Sequence, residues 1–374
     1  MKAIVLGAAG AMASVAIRDL LEFAENVSLT AADARAVKLL NLPLHPATLD
    51  VQDELSTARL IEGHDVVLNC VPYPLNPKVM RAALRARVPY VDLGGLYHVT
   101  LQQFALHEEF LRHGVTAILG MGSTPGITNV MAGALVQLMD CVDEIHVRVA
   151  CHDESATGLL PIPYSLDTIL DEFALEPIVF REGQPATVPV LSGSEIIEFP
   201  SPVGQAEAFH TLHSEVAMFP RSFPGLREAS FKIAFPQAFN EKMRLLVGLG
   251  FASRDNGLRG VSPREMLLAL AAKQWVPTSE SEPQDCDVLR VWVKGKKQGK
   301  EISGLAESVI LPHPLWKVAA GSRDTGVPLS IVAQMLARRI IQAPGVHCPE
   351  TSVPSELFWD ELSRRGIRVT FKIQ

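Results

Sequence analysis

The first twenty residues limit the fold more than any other stretch. Lys2-Ala3-Ile4-Val5-Leu6 runs straight into Gly7-Ala8-Ala9-Gly10, and a helical pattern with Val15, Ala16 and Leu20 on one side comes next. A buried strand, a small-residue turn and a helix in that order open a βαβ unit. In such a unit Gly7 turns the chain, Gly10 lets a pyrophosphate approach the amides at the helix start beside Ala11 and Met12, and Ala13 permits close helix–strand packing. The spacing departs from the strict G-x-G-x-x-G, because Ala9 and Met12 stand at its second and third glycine positions. A purely structural turn would look the same.

The second strand favours a nucleotide. The strand candidate Val27 to Ala32 ends on Asp33, about 20 residues beyond the turn, where an acid accepts hydrogen bonds from the adenosine ribose and repels a 2′-phosphate. NAD is therefore expected over NADP, although Arg35, beside Ala34, offers a phosphate partner and keeps NADP open. A helix is expected from Ala34 to Leu40, and Asp50-Val51 should border the adenine. Asp53 reads as the N-cap of a helix from Glu54 to Glu62. Then come a strand from His64 that breaks at Cys70-Val71-Pro72-Tyr73, a helix from Pro77 to Ala86, and a strand ending at Asp92-Leu93-Gly94. A helix from Leu101 to His113 and a strand from Val115 to Gly120 complete the series. Alternating units of this kind predict a doubly wound parallel sheet whose carboxyl ends collect the ligand.

Gly120 to Asn129 forms a glycine loop opening a helix that runs to about Met139. Gly122, Ser123, Thr124 and the freed amides of that helix could hold a carboxylate or a nicotinamide amide; a plain interdomain linker is the alternative. Beyond Cys141 the texture changes to period two, in 144–149, 186–191, 195–199, 229–234 and 287–293. Alternation predicts antiparallel strands in a second, α+β domain. Helices should begin near Ser165, Gln237 and Pro263; 277–285 should be a loop, and the Lys-rich run 294–300 a solvated hairpin tip. Gly326-Val327-Pro328 should start an apolar helix packed back on the first domain, with a helix from Ser355 and a strand from Gly366 closing the chain.

The 374 residues suit two domains, and the formal charge of −7 leaves no footprint for nucleic acid. Five scattered cysteines without a Cys-x-x-Cys pair argue for a reducing cytoplasm. No apolar run approaches the roughly 20 residues that span a bilayer. His210 and His213 near Glu215 lack a third convergent ligand, so no metal is expected.

The glycine-rich start, Val67-Leu68-Asn69-Cys70-Val71-Pro72, Tyr90-Val91-Asp92-Leu93-Gly94 and Gly122-Ser123-Thr124-Pro125-Gly126, in that order, resemble the saccharopine dehydrogenase-like family. Phe219-Pro220-Arg221-Ser222-Phe223-Pro224-Gly225, Glu241-Lys242-Met243-Arg244 and Thr325-Gly326-Val327-Pro328 look most like its lysine 6-dehydrogenase branch. The resemblance implies a Rossmann domain built from both chain ends (1–125 and 316–374) around an inserted α+β substrate and dimerisation domain (126–315). It implies NAD-dependent oxidation of a C–N bond, with deamination of the L-lysine ε-amine first in line and a homodimer as the assembly. An NADPH-dependent saccharopine reductase or carboxynorspermidine dehydrogenase stands second, and a non-catalytic nucleotide-binding protein third. Asp92, Tyr73 and Asp153 are the candidates for chemistry. Asp92 reads equally as a cap for its glycine loop. Ser123, Thr124, Asn129 and Thr325 are candidates for substrate contact, with Arg221, Lys242 or Arg244 as a carboxylate clamp.

Overall fold

The computed structural model describes residues 1–35, 42–153, 160, 162–257, 260–274 and 283–374. Most of the helix expected over 34–40 and most of the loop expected over 277–285 lie outside them. The first third alternates as β1 (Lys2–Leu6), α1 (Ala11–Phe23), β2 (Ser28–Asp33), β3 (His45–Thr48), α2 (Glu54–Ile61), β4 (Val66–Asn69), α3 (Asn76–Ala86), β5 (Tyr90–Asp92), α4 (Tyr97–Phe104), α5 (His107–His113) and β6 (Thr116–Ile118). Every pairing among these strands is parallel. The continuous apolar runs of β1 and β4 are fully buried, as strands covered on both faces must be. Gly7 sits at φ +77°, and a Cβ there would lie 2.6 Å from the Cys70 carbonyl, so only glycine fits between β1 and β4. Asp53 caps α2 by accepting from the Ser56 amide at 3.0 Å.

One helix was expected over Leu101–His113, and two are found. The chain tightens to three-residue bonding at Leu106 N–H to Gln103 O and Glu109 N–H to Leu106 O. This turns the apolar face so that Phe104, Leu106 and Phe110 all reach the core.

The chain continues through α6 (Ile127–Val136), β7 (Cys141–Asp153), α7 (Leu166–Ala174), β8 (Ile178–Arg181), β9 (Gln184–Thr187), β10 (Glu195–Glu198), β11 (Gln205–His210), α8 (Glu215–Ser222), β12 (Glu228–Ala234), α9 (Gln237–Gly248), α10 (Pro263–Gln274), β13 (Asp285–Lys297) and β14 (Lys300–Ile310). These strands form a second sheet, ordered β10-β11-β12-β7-β13-β14, with β8 paired to β12 and β9 to β8. It is mixed rather than purely antiparallel, because β12 lies parallel to β7. Alternation sets which face a residue takes and says nothing of strand direction. The β13–β14 hairpin turns at Gln298 (φ +51°) and Gly299 (φ +77°), the two left-handed positions of a type I′ turn, with the lysines around it.

The final segment carries α11 (Ala320–Ala337), β15 (Gly345–His347), α12 (Pro349–Ser352), α13 (Ser355–Arg364) and β16 (Thr370–Ile373). α11 starts six residues before the expected Gly326, with Pro328 inside it. It packs on α1 so closely that a Cβ on Gly326 would lie 2.7 Å from the Met12 carbonyl. β15 joins the edge of the parallel sheet beside β6, while β16 pairs with β14, so the last strand belongs to the mixed sheet. Among the described residues no helix is long and apolar enough to cross a membrane.

Candidate active site

The carboxyl ends of β1, β2, β4, β5 and β6 converge on one edge of the parallel sheet. There Gly10 caps α1 with no side chain and no acid stands in the first turn, leaving the amides of Ala11 and Met12 for an anionic group. Ala9 and Ala11 are exposed beside them. Asp33 closes β2 almost fully buried: Oδ2 accepts from the Ala9 amide at 3.0 Å, and Oδ1 accepts from the Arg35 amide at 2.9 Å. The Arg35 side chain is 75% exposed, 3.3 Å from the same carboxylate. Ala34 is exposed; so is Asp50, which bonds the Gln52 amide, while Val51 is buried. This cradle, open at the backbone and closed to any larger residue at position 7, fits a dinucleotide. Cys70, Val71, Pro72, Leu93 and Gly94 border it at the strand ends, with Gly122 buried behind. Burial pushes the Cys70 thiol well up, so it stays protonated.

The loop Gly122–Gly126 lies where the two sheets meet. It is held tight by Gly122 N–H to Pro125 O at 2.9 Å, and Gly126 has φ +134° with no room for a Cβ against the Gly122 carbonyl. Two polar arms grip it. On one side Ser123 Oγ donates to Asp324 Oδ2 on α11 at 2.9 Å. Asp324 in turn meets Asp287 on β13, whose carboxyl takes the Cys151 thiol of β7 as a further partner. Burial and the nearby Asp285 charge push Asp287 up to about 7, and burial together with the Asp287 charge pushes Asp324 well above the usual carboxylate range. Two buried carboxyls in contact cannot both ionise, so the pair holds a shared proton.

On the other side Thr124 Oγ1 donates to Glu215 Oε1, and His213 Nδ1 pairs with Glu215 Oε2. Glu172 of α7 lies near enough to perturb His213 and Cys151, and it accepts from Tyr164 at 2.5 Å. Burial pushes Glu172 up to about 7. The cluster around the loop thus carries four buried carboxyls, Glu172, Glu215, Asp287 and Asp324. Among the described residues no lysine or arginine forms an ion pair with any of them.

The candidates fall into two groups. Ser123 and Thr124 stand in this pocket, and Thr325 lies beside it: its hydroxyl is 3.3 Å from Asp324 and its methyl packs on Gly122. Asp92 is fully buried and receives four donors, Tyr90 Oη at 2.8 Å, Gln103 Nε2 at 2.6 Å, Gly94 N at 2.9 Å and Gly120 N at 2.7 Å. It fastens two strand ends and has no lone pair directed to a substrate. Tyr73 donates to Asp171 of α7 at 2.7 Å, and Arg264 holds that acid at 2.7 Å, so Tyr73 ties the first domain to the second. Asn129 is buried between the Gly126 amide and Glu350, away from any ligand. The amides expected to be free at the α6 terminus are bonded inside the loop, Ile127 to Gly122 and Thr128 to Ser123. Arg221 and Arg244 rest separately on Phe104 and Phe209, and Lys242 is half-buried on α9, so the three candidates for a carboxylate clamp stand apart. Asp153 ends β7 exposed, two residues past Cys151.

Glu172, Tyr164 and Asp287 carry no local signal in the sequence, whereas the His213-x-Glu215 spacing does. In sequence that spacing suggests only part of a metal site. His210 turns instead to the Phe231 carbonyl, so the three residues do not form one cluster. A separate group, Glu144, His146 and Glu228, brings donor atoms within 4.8 Å of one another at the far end of β7. Lys294 already contacts Glu144 there at 3.4 Å.

Comparison with known proteins respects this division. Residues 3–118 match the saccharopine dehydrogenase NADP binding domain, and 122–367 match the saccharopine dehydrogenase C-terminal domain. The chain belongs to the saccharopine dehydrogenase family. The junction between the two matched regions falls on the loop that carries Ser123 and Thr124. The first domain of this family member is an NAD(P)-binding domain. Apo saccharopine dehydrogenase (L-Glu forming) from Saccharomyces cerevisiae shares the fold, with a TM-score of 0.76 at 16% identity over 100% of this chain and 99% of that one. Carboxynorspermidine synthase of Vibrio alginolyticus is 27% identical over 64% of this chain and 60% of its own length. Carboxyaminopropylagmatine dehydrogenase of Synechocystis is 24% identical over 86% and 83%.

Proposed function

We propose that the protein interconverts a carboxylated polyamine with an aldehyde and a free polyamine or agmatine-like amine, using NAD(P) as the hydride carrier. The reading rests on the pocket's charge. Four buried carboxyls with no arginine or lysine paired to them disfavour an anionic ligand and suit a cationic amine. Carboxynorspermidine and carboxyaminopropylagmatine, the compounds in the names of two relatives, are carboxylated amines with cationic tails. Saccharopine offers its ends as carboxylates instead.

When bound, the nicotinamide supplies the hydride acceptor or donor at the carbon next to nitrogen. The chain's own part is to hold that nitrogen. The Asp287–Asp324 pair releases its shared proton as an ammonium enters, exchanging one positive charge for another, and Ser123 keeps Asp324 aimed. Deamination of the lysine ε-amine is the second reading, since the same carboxyls suit an ε-ammonium and Asp33 favours NAD, the cofactor of that reaction. A cytoplasmic homodimer belongs to either reading; none of the five cysteines forms a disulfide, which accords with a reducing compartment.

The test is oxidation of carboxynorspermidine, carboxyaminopropylagmatine, saccharopine and L-lysine with NAD⁺ and NADP⁺. Turnover of one of the first two with kcat/KM about tenfold above the others is expected, and Asp324→Asn should raise its KM. Turnover confined to lysine establishes deamination. Preference for saccharopine, or nucleotide binding without any turnover, overturns the proposal.

A further inference from the structure

We propose that His213 is the catalytic residue that moves the proton between water and the substrate nitrogen, with Glu215 and Thr124 as its positioning residues. The assignment rests on the amine reading of the pocket. His213 lies between β11 and α8, its ring stacked on Phe231 with centroids 3.8 Å apart and planes at 10°. Nδ1 is taken by Glu215, a fully buried carboxylate whose other oxygen accepts from Thr124, and Thr128 donates to Thr124 at 3.2 Å. Ring plane and rotation are therefore both fixed. Nε2 is the one polar atom of the side chain with no hydrogen-bond partner among the described residues, and the side chain keeps 11% exposure. A buried carboxylate on Nδ1 directs the reactive lone pair, or the second proton, to Nε2. Thr211 Oγ1 and Ser214 Oγ on the same segment are likewise buried without a partner there, so this stretch holds polar capacity that the fold itself does not use.

The groups facing the imidazole are Glu215 from its own segment, Glu172 from α7 and the apolar Phe231 from β12. Burial opposes the imidazolium, and the two carboxylates more than offset it, raising His213 above its ordinary value. A ring whose imidazolium is favoured by buried acids while Nε2 stays open can take up a proton there and hand it on.

In the oxidative direction the amine carbon has lost hydride to the nicotinamide and an iminium remains. Water adds to that carbon, forming a C–O bond, and passes its proton to Nε2. The carbinolamine then breaks its C–N bond: nitrogen takes the proton back from Nε2, and the hydroxyl proton leaves to solvent as the aldehyde forms. The sum is amine, water and NAD(P)⁺ giving free amine, aldehyde, NAD(P)H and one proton.

The test measures kcat/KM against pH for carboxynorspermidine oxidation, or for L-lysine oxidation should that be the amine turned over. A failed substrate assignment is thereby separated from a failed assignment of His213. In the wild type, kcat/KM falls as pH drops through the His213 ionisation. His213→Gln should lower kcat about 10²–10⁴-fold and abolish that limb while the NADPH dissociation constant, read by fluorescence, stays within about twofold. Glu215→Gln should move the limb to lower pH. A His213→Gln enzyme that keeps its limb and its kcat overturns the assignment. Should that variant not fold, ¹⁵N-histidine NMR of the wild type decides. A titrating His213 Nε2 above the ordinary value supports the role, and a ring in one fixed state from pH 6 to 9 overturns it.

Discussion

Asp33 binds the glycine turn and the chain just beyond β2 with one carboxylate. Because Oδ2 holds the Ala9 amide and Oδ1 the Arg35 amide, the side chain is fixed at the end of β2, the position from which an acid in a fold of this kind would meet the ribose hydroxyls. Asp33→Ser should shift the ratio of NADPH to NADH affinity toward NADPH about tenfold, measured by fluorescence titration, with Arg35 then free to meet the phosphate. Asp92 sits at a strand end in the same way and behaves differently. Burial raises its carboxyl, and the four donors around it pull the other way. Asp92→Asn turns one oxygen into a donor facing donors. It should lower unfolding stability by about 1–3 kcal/mol in chemical denaturation and leave the amine KM of the folded enzyme unchanged.

At the scale of elements, α11 does the work that the sequence pattern assigned only in part. Gly326 brings it onto Met12 in the first turn of α1, and a methyl group there would press on the Met12 carbonyl and Val15 together. Gly326→Ala should cost roughly 1–3 kcal/mol of stability and weaken NADH binding, read by thermal shift and calorimetry. The parallel sheet was legible because its signals are local: Ile4 to Leu6 and Val66 to Leu68 are apolar throughout, and Asp53 acts on its near neighbour Ser56. The pocket was not. Its parts come from positions 123, 151, 172, 213, 287 and 324, and their meeting depends on β7 lying between β12 and β13, which alternation cannot reveal. The same limit misplaced Arg221 and Arg244, whose charges suggested a clamp while aromatic rings claimed them.

For the molecule as a whole, the buried acids tie stability to pH. Glu172 and Asp287, pushed up to about 7, bind more protons folded than unfolded between pH 4 and 7, so their contribution falls as pH rises through that window. His146 and His210, pushed down to about 4, act in the opposite sense over much of that range, so the carboxyl effect is read by difference. The Tm of Glu172→Gln relative to the wild type should climb from pH 5 to pH 8 in scanning calorimetry, and a bound amine should shrink that gap. One geometric fact then links the two halves of the site. Asp324 and Gly326 are two residues apart on one helix, the first a member of the acid pair and the second against Met12 and Val15 at the start of α1. If a dinucleotide at the start of α1 shifts α11, an amine held at the acid pair would feel that shift, and linkage then requires each ligand to change the other's affinity by the same factor.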